Sequence, residues 1–343
     1  MKKFLSCLGA VMVMVLCCAG NLQDTGIANA EGKKLHIVAT TFPQYDWTRQ
    51  ILGSHLEGVE LTLLLDNGID LHSFQPTVED MATIAGCDMF LYLGGASDAW
   101  VPGALRAADN PNRLVVNLLE ALGDGVKAEE IVEGMEHEHK EEHEHEEEHD
   151  HEDHDDGEEH HHGEGEPDEH VWLSLKNAQV LCAYIASALS KLDAEKAGDY
   201  AANASQYQAQ LKALDGAYTQ AMEEAALPVL LFGDRFPFRY LADDYQLTYY
   251  AAFSGCSAET EASFETIAFL TNKLNELMLH SVLVTESADQ SIARTVIENS
   301  GEKTQSILVM DSMQSVTAKD VLAGVTYLSV MEKNLEVLKS ATE

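Results

Sequence analysis

The sequence predicts an α/β protein of two lobes, each with a mostly parallel sheet and flanking helices, joined by one long linking helix. Three observations carry this reading. Short apolar runs of strand length alternate with helical patterns through residues 35–118, and the alternation returns over 229–339. Between the two stretches, apolar residues three or four apart run through residues 194–226 without a proline, a helix of roughly 40 Å or more. With 45% of its 343 residues apolar, the chain can build real cores, and its length suits about two domains.

In the first lobe, LHIVATT (35–41) reads as a buried strand stopped by Phe42-Pro43, and a helix over 44–53 ends at Gly53. A second strand over 59–65 runs into the turn DNGID, which delivers His72. Thr77 caps the next helix. A third strand (88–93) ends at Gly94-Gly95; a helix (98–107) and a fourth strand (114–118) follow. Residues 169–192 form a helix after an extended entry, and the long helix of 194–226 carries Tyr207, Leu211, Leu214 and Tyr218 on one face until Pro228 ends it. The second lobe reads strand 229–233, helix 239–245, strand 247–253, helix 263–278, strand 281–285, helix 289–299, strand 306–310 and helix 325–339. The resulting division is an export signal (1–30), a first lobe (31–195) with an insertion at 133–168, a linking helix (196–227) and a second lobe (228–343).

The insertion dominates the charge. The chain carries −37, and residues 133–170 hold 20 acidic residues against one basic, Lys140, a net of −19. A basic surface for phosphate is lacking, so nucleic acid is excluded as a partner and cations are the natural ones. Ten of the fifteen histidines fall between His137 and His162. With no apolar residue after Met135, this tract cannot bury a face and reads as disordered. Imidazoles among carboxylates favour Zn, Cu and Ni over Mg or Ca, as many weak transient sites rather than one rigid site.

At the N-terminus, Lys2 and Lys3 precede an apolar run from Phe4 to Ala19, too short for a membrane span, and Ala28-Asn29-Ala30 fits cleavage before Glu31. A lipid anchor on Cys17 or Cys18 is the alternative. Both outcomes imply Sec export to the periplasm or the outer face of the cytoplasmic membrane. Of the remaining cysteines, Cys87 and Cys182 sit in apolar patterns as core residues, while Cys256 lies in a glycine-containing turn, with a place nearer a site as the minor alternative.

Open α/β sheets bind ligands beyond the carboxyl ends of their strands. There the first lobe places His72 and His170, and the second places Asp234, Arg235, Glu286 and Asp311. Each alone has an ordinary explanation: a loop histidine, a helix cap, an ion pair. Together they describe a cation held between lobes. These segments resemble the metal-binding subunits of zinc and manganese ABC importers, solute-binding proteins of the ZnuA/TroA type. NGIDLHSFQP resembles the loop of the first ligand histidine, with His72 in that position. PDEHVWLS resembles the second ligand motif at His170, and ILVMDSM the late strand ending in a ligand Asp, at Asp311. A histidine-rich acidic insertion before the second ligand is typical of zinc members.

The departure is at the third ligand. DRFPFRYL puts Arg235 where the family has His or Glu, and a guanidinium cannot ligate a cation. Either Asp234 shifts in while Arg235 clamps a carboxylate such as Glu286, or Glu286 or water completes the set. The resemblance implies capture of Zn2+ by a monomer and delivery to a cognate membrane permease, with the linking helix limiting lobe motion. Mn2+ or Fe2+ is the alternative cargo. The competing classes are a surface adhesin or metal-sequestering protein without transport, and a zinc hydrolase. The last is disfavoured because neither H-E-x-x-H nor G-x-S-x-G occurs, so the protein is expected not to be an enzyme. Zinc binding is expected to weaken as pH falls through the histidine range.

Overall fold

The computed structural model describes residues 34–107, 110–135, 165–257 and 261–343. The expected signal at 1–30 and the histidines from His137 to His162 lie outside them. Strands β1 (Leu35–Ala39), β2 (Val59–Leu63), β3 (Met89–Tyr92) and β4 (Leu114–Asn117) form a parallel sheet in the order β2-β1-β3-β4. Strands β5 (Val229–Phe236), β6 (Thr248–Ser254), β7 (Ser281–Thr285) and β8 (Ser306–Met310) repeat the pattern as β6-β5-β7-β8. In each sheet the chain steps to one side of its first strand and then crosses to the other. That reversal leaves a crevice at the carboxyl ends of the strands. Residues 37–39 of β1 and all of β7 are buried, which is why these strands read as continuous apolar runs.

The helices are α1 (Phe42–Leu52), α2 (Val78–Gly86), α3 (Val101–Ala107), α4 (Leu118–Leu122), α5 (Leu175–Leu192), α6 (Ala197–Glu224), α7 (Arg239–Asp244), α8 (Phe264–Glu276), α9 (Ser291–Asn299), α10 (Ala318–Leu322) and α11 (Tyr327–Thr342). Hydroxyl caps start several of them: Thr77 accepts from Asp80 N, Ser174 from Asn177 N and Ser263 from Thr266 N. The one-turn helices α4 and α10 have too few residues to show a period and escape sequence reading. No described helix is long and apolar enough to cross a membrane.

The 28 residues of α6 tie the two sheets together. On one side of it, Asn203 donates to Ile51 O of α1 (2.9 Å) and Gln208 to Gln179 O of α5 (2.7 Å). Toward its other end the Tyr218 hydroxyl donates to Met331 O of α11 (2.6 Å) and its ring stacks on Tyr245. One hydrophobic cluster runs from Ile37 and Trp47 through Trp172 and Leu211 to Tyr327. A smaller one, with Leu231, Phe253, Leu270 and Val284, fills the far side of the second sheet. Residues Lys34–Glu343 accordingly pack as one compact unit containing both sheets.

Two expectations are corrected. β5 continues to Phe236, and its register against β6 shifts between Phe232 and Arg235. Asp234 and Arg235 therefore sit inside a bulged strand, not beyond it; a bulge re-aims side chains. The insertion is also ordered at both stems. Glu129 N donates to Glu166 O (2.7 Å) and Asp168 N to Lys127 O (2.8 Å), and Met135 is buried. This antiparallel pairing ends two residues before His170.

Candidate metal centre

The two histidines are placed by the same local device. Each follows an aspartate by two residues and heads into a single 3-10 turn anchored by buried apolar side chains. Asp70 Oδ1 accepts from His72 N (3.0 Å) and Asp168 Oδ1 from His170 N (2.9 Å). Leu71 anchors the first turn; Val171, Trp172 and Leu173 anchor the second. The result sets His72 Nε2 3.3 Å from His170 Nε2, although the residues are 98 apart in sequence.

The surrounding hydrogen bonds fix the tautomers. Ser97 Oγ lies 2.7 Å from His72 Nδ1 and also contacts Glu169 Oε2. Its single hydroxyl proton goes to the carboxylate, so His72 Nδ1–H donates to Ser97 Oγ. His170 Nδ1 lies 3.0 Å from Asp168 Oδ1, an acceptor only when ionised, so His170 also carries its proton on Nδ1. Both Nε2 atoms then present lone pairs to each other. Two lone pairs at this separation repel unless a cation sits between them. The spacing matches the ligand–ligand edge of about 3.3 Å in a tetrahedral zinc site with Zn–N bonds of about 2.05 Å. Acceptors on the distal imidazole nitrogen are what orient metal-binding histidines.

The second lobe supplies one more group at this point. Cys256 Sγ joins His72 and His170 in a set whose candidate ligand atoms all lie within 4.8 Å of one another, the one such set among the described residues. Gly255 brings the chain past His170 so closely that a Cβ there would lie 3.1 Å from His170 Cε1 and 3.0 Å from Phe236 O. Sequence reasoning held a place near a site for Cys256 only as the minor reading and did not make it a ligand candidate. The signal available was a small residue and a thiol directly after a strand.

The two expected carboxylates do not belong to that set. Asp234 Oδ2 turns to Thr285, accepting from its amide (2.9 Å) and from its hydroxyl. Asp311 Oδ1 accepts from Met313 N (2.7 Å), and Asp311 has Glu286 as its main charged neighbour. Glu286 accepts from Ser312 N at 2.8 Å and from the Ser312 and Ser315 hydroxyls, both at 3.0 Å, holding the turn after β8. Arg235 does clamp a carboxylate, but it is Asp70: Nη2 to Oδ2 is 2.8 Å. The guanidinium thus crosses between lobes to hold the loop of His72, and Cys256, not Asp234, is the second-lobe residue whose candidate ligand atom lies within 4.8 Å of those of the two histidines.

Electrostatics favour an uncharged His72 imidazole. Burial, followed by the field of His170, pulls His72 down to about 4. Burial alone would raise Asp70, but Arg235 and the His72 amide hold it below the ordinary carboxylate range. Burial and then Glu286 push Asp311 up to about 6. Burial also raises Glu169 and the Cys256 thiol. Beside His72, a cavity of 380 Å³ opens between Asp70 of the first lobe and Asp234, Arg235, Thr285 and Gln290 of the second.

The family described as zinc-uptake complex component A, periplasmic (ZnuA) matches residues 37–341. The zinc-binding lipoprotein AdcA of Streptococcus pneumoniae is 33% identical, over 100% of this chain but 62% of its own length. The high-affinity zinc uptake system protein ZnuA of Bacillus subtilis is 29% identical, over 97% of this chain and 95% of that protein. The crystal structure of the Zn(II)-bound ZnuA-like domain of the pneumococcal AdcA superposes with a TM-score of 0.66 and 29% identity, covering 90% of this chain and 99% of that domain. This chain therefore spans less than two thirds of AdcA and nearly all of the Bacillus protein. Its fold of two parallel sheets tied by α6, its paired histidines and the match over 37–341 make it a member of the ZnuA family.

Proposed function

We propose that this chain is the extracytoplasmic binding subunit of an ABC importer, which captures one Zn2+ between its lobes and passes it to a membrane permease. The observation that carries the proposal is the pair of Nε2 lone pairs facing each other at 3.3 Å, each imidazole fixed by an acceptor on Nδ1. His72 and His170 hold the ion. Asp311, capping one amide at 2.7 Å, is the carboxylate proposed to join on loading; Asp234, engaged twice by Thr285, is not. Family membership and the zinc names of the relatives support the cargo and the permease. Membership of a family of transporter binding components supports a binding role. Trp172 Nε1 to Ser312 O (2.9 Å) and Tyr327 Oη to Trp172 O (2.6 Å) stitch the lobes with buried bonds. Release on docking then uses small shifts of loops and lobes, not a wide hinge.

The test is competition of the metal-free protein against a chromophoric zinc chelator. One tight site is expected, and His72→Ala and His170→Ala should each weaken it by more than about 100-fold, beyond the cost of losing an outer partner of a ligand. Tight stoichiometric binding that survives both substitutions would place the ion elsewhere and end the proposal.

A further inference from the structure

We propose that Cys256 is a zinc ligand in this chain, its thiolate taking the coordination position that Arg235 cannot fill. The inference rests on the capture site proposed above and names its third donor. Three observations lead to it. The candidate donor atoms of Cys256, His72 and His170 all lie within 4.8 Å of one another, and those of Asp234 and Asp311 do not join them. Arg235 is held away by Asp70 at 2.8 Å and reaches Ser257 O at 3.4 Å, next to Cys256 itself. The turn bearing Cys256 is fixed from two directions. Gly255 fits against His170 with no room for a side chain. Glu129 Oε1, in the ordered stem of the insertion, accepts from Cys256 N at 2.9 Å.

The chemistry is simple. The Sγ–H bond breaks, its proton goes to solvent, and the sulfur lone pair forms the Zn–S bond. Zinc accepts two imidazoles and one thiolate in a tetrahedron, leaving the fourth position to Asp311 or water. A soft thiolate shifts the preference toward zinc and cadmium and away from manganese, which prefers oxygen donors. The second lobe thus contributes a metal bond from the end of β6, whereas the arginine of β5 braces the loop of the first ligand. Cys87 and Cys182 are fully buried in the core and belong to no such set.

The experiment loads the metal-free protein with Co2+, a spectroscopic substitute for zinc, and records the near-ultraviolet sulfur-to-cobalt charge-transfer band. The wild-type protein should show the band at one equivalent, and Cys256→Ser should lose it and bind zinc at least about 10-fold more weakly. Cys256→His should recover zinc affinity while still lacking the band, which separates ligation from a folding defect. Circular dichroism of each variant checks the fold. If cobalt binds tightly without the band while His72→Ala abolishes binding, Cys256 is not a ligand and the capture site stands. If His72→Ala and His170→Ala bind as the wild type does, the capture site falls, and the inference with it.

Discussion

At the scale of single residues, the function depends on where protons sit around two imidazoles. Ser97 is the hinge of that arrangement, because its hydroxyl accepts a hydrogen bond from His72 Nδ1–H and donates one to Glu169. Ser97→Ala removes the acceptor that fixes the tautomer without touching a ligand. Zinc affinity should fall about 10- to 100-fold, read by chelator competition; unchanged affinity would mean the tautomer is set otherwise. The loop carrying Ser97 is held by Asp98, whose Oδ2 accepts from Leu93 N (2.8 Å) and Gly94 N (2.9 Å). Burial pushes the Asp98 carboxyl up to about 6 from an ordinary 3.8. The folded state therefore binds a proton between those values that the unfolded state does not, so this group adds stability as pH falls from 6 toward 3.8 and withholds it above 6. Asp98→Asn keeps an oxygen acceptor and removes the charge. It should stabilise the metal-free protein on the order of 2 kcal/mol at pH 7.5 and have little effect near pH 4, measured by urea midpoints. A variant equally destabilised at both pH values would refute this account. The same reasoning revises the expected acid sensitivity. With His72 pulled down to about 4, protons compete for it only well below the ordinary histidine range.

At the scale of elements, the seam between lobes is built from tyrosine and tryptophan polar atoms reaching backbone carbonyls. Tyr327, fully buried at the start of α11, donates to Trp172 O at 2.6 Å, and its amide donates to Asp46 Oδ2 at 2.9 Å. Tyr327→Phe leaves Trp172 O without that donor and should cost about 1–3 kcal/mol. Urea unfolding of the metal-free protein reads this loss; an unchanged midpoint would show the seam to be dispensable. Much of this was legible beforehand, for physical reasons that differ by element. The strands and α6 announce themselves through period and length, and the cap at Thr77 through residue type. His72 and His170 stand out because few other histidines follow a strand or open a helix. The Asp234 and Arg235 roles were not legible. A register shift inside β5 has no one-dimensional signature, and it decides which of two adjacent charges turns toward Thr285 and which toward Asp70. Cys256 was half legible, because its turn could be seen but the approach of Gly255 to His170 depends on how the two sheets pack.

At the scale of the whole molecule, the question is how the histidine-rich insertion relates to the cleft. Its stems are structural: Lys127 to Glu129 pair with Glu166 to Asp168, Tyr249 Oη donates to Glu130 at 2.8 Å, and Glu129 holds the Cys256 amide. The sequence between the stems holds ten imidazoles and most of the tract's negative charge. Imidazoles among carboxylates are suited to binding zinc weakly and in numbers rather than as one rigid site. Removing residues 137–162 while keeping both stems should therefore abolish several weak zinc equivalents in calorimetry and leave the tight one within about 3-fold, since the stems keep Glu129 and Asp168 in place. Removing residues 127–168 as a whole takes away Asp168, which orients His170, and Glu129, which holds Cys256. That deletion should cost the tight site as well. Loss of the tight equivalent in the shorter deletion would transfer capture from the cleft to the tract. Its retention in the longer one would mean that His170 and Cys256 need no positioning from the insertion's base.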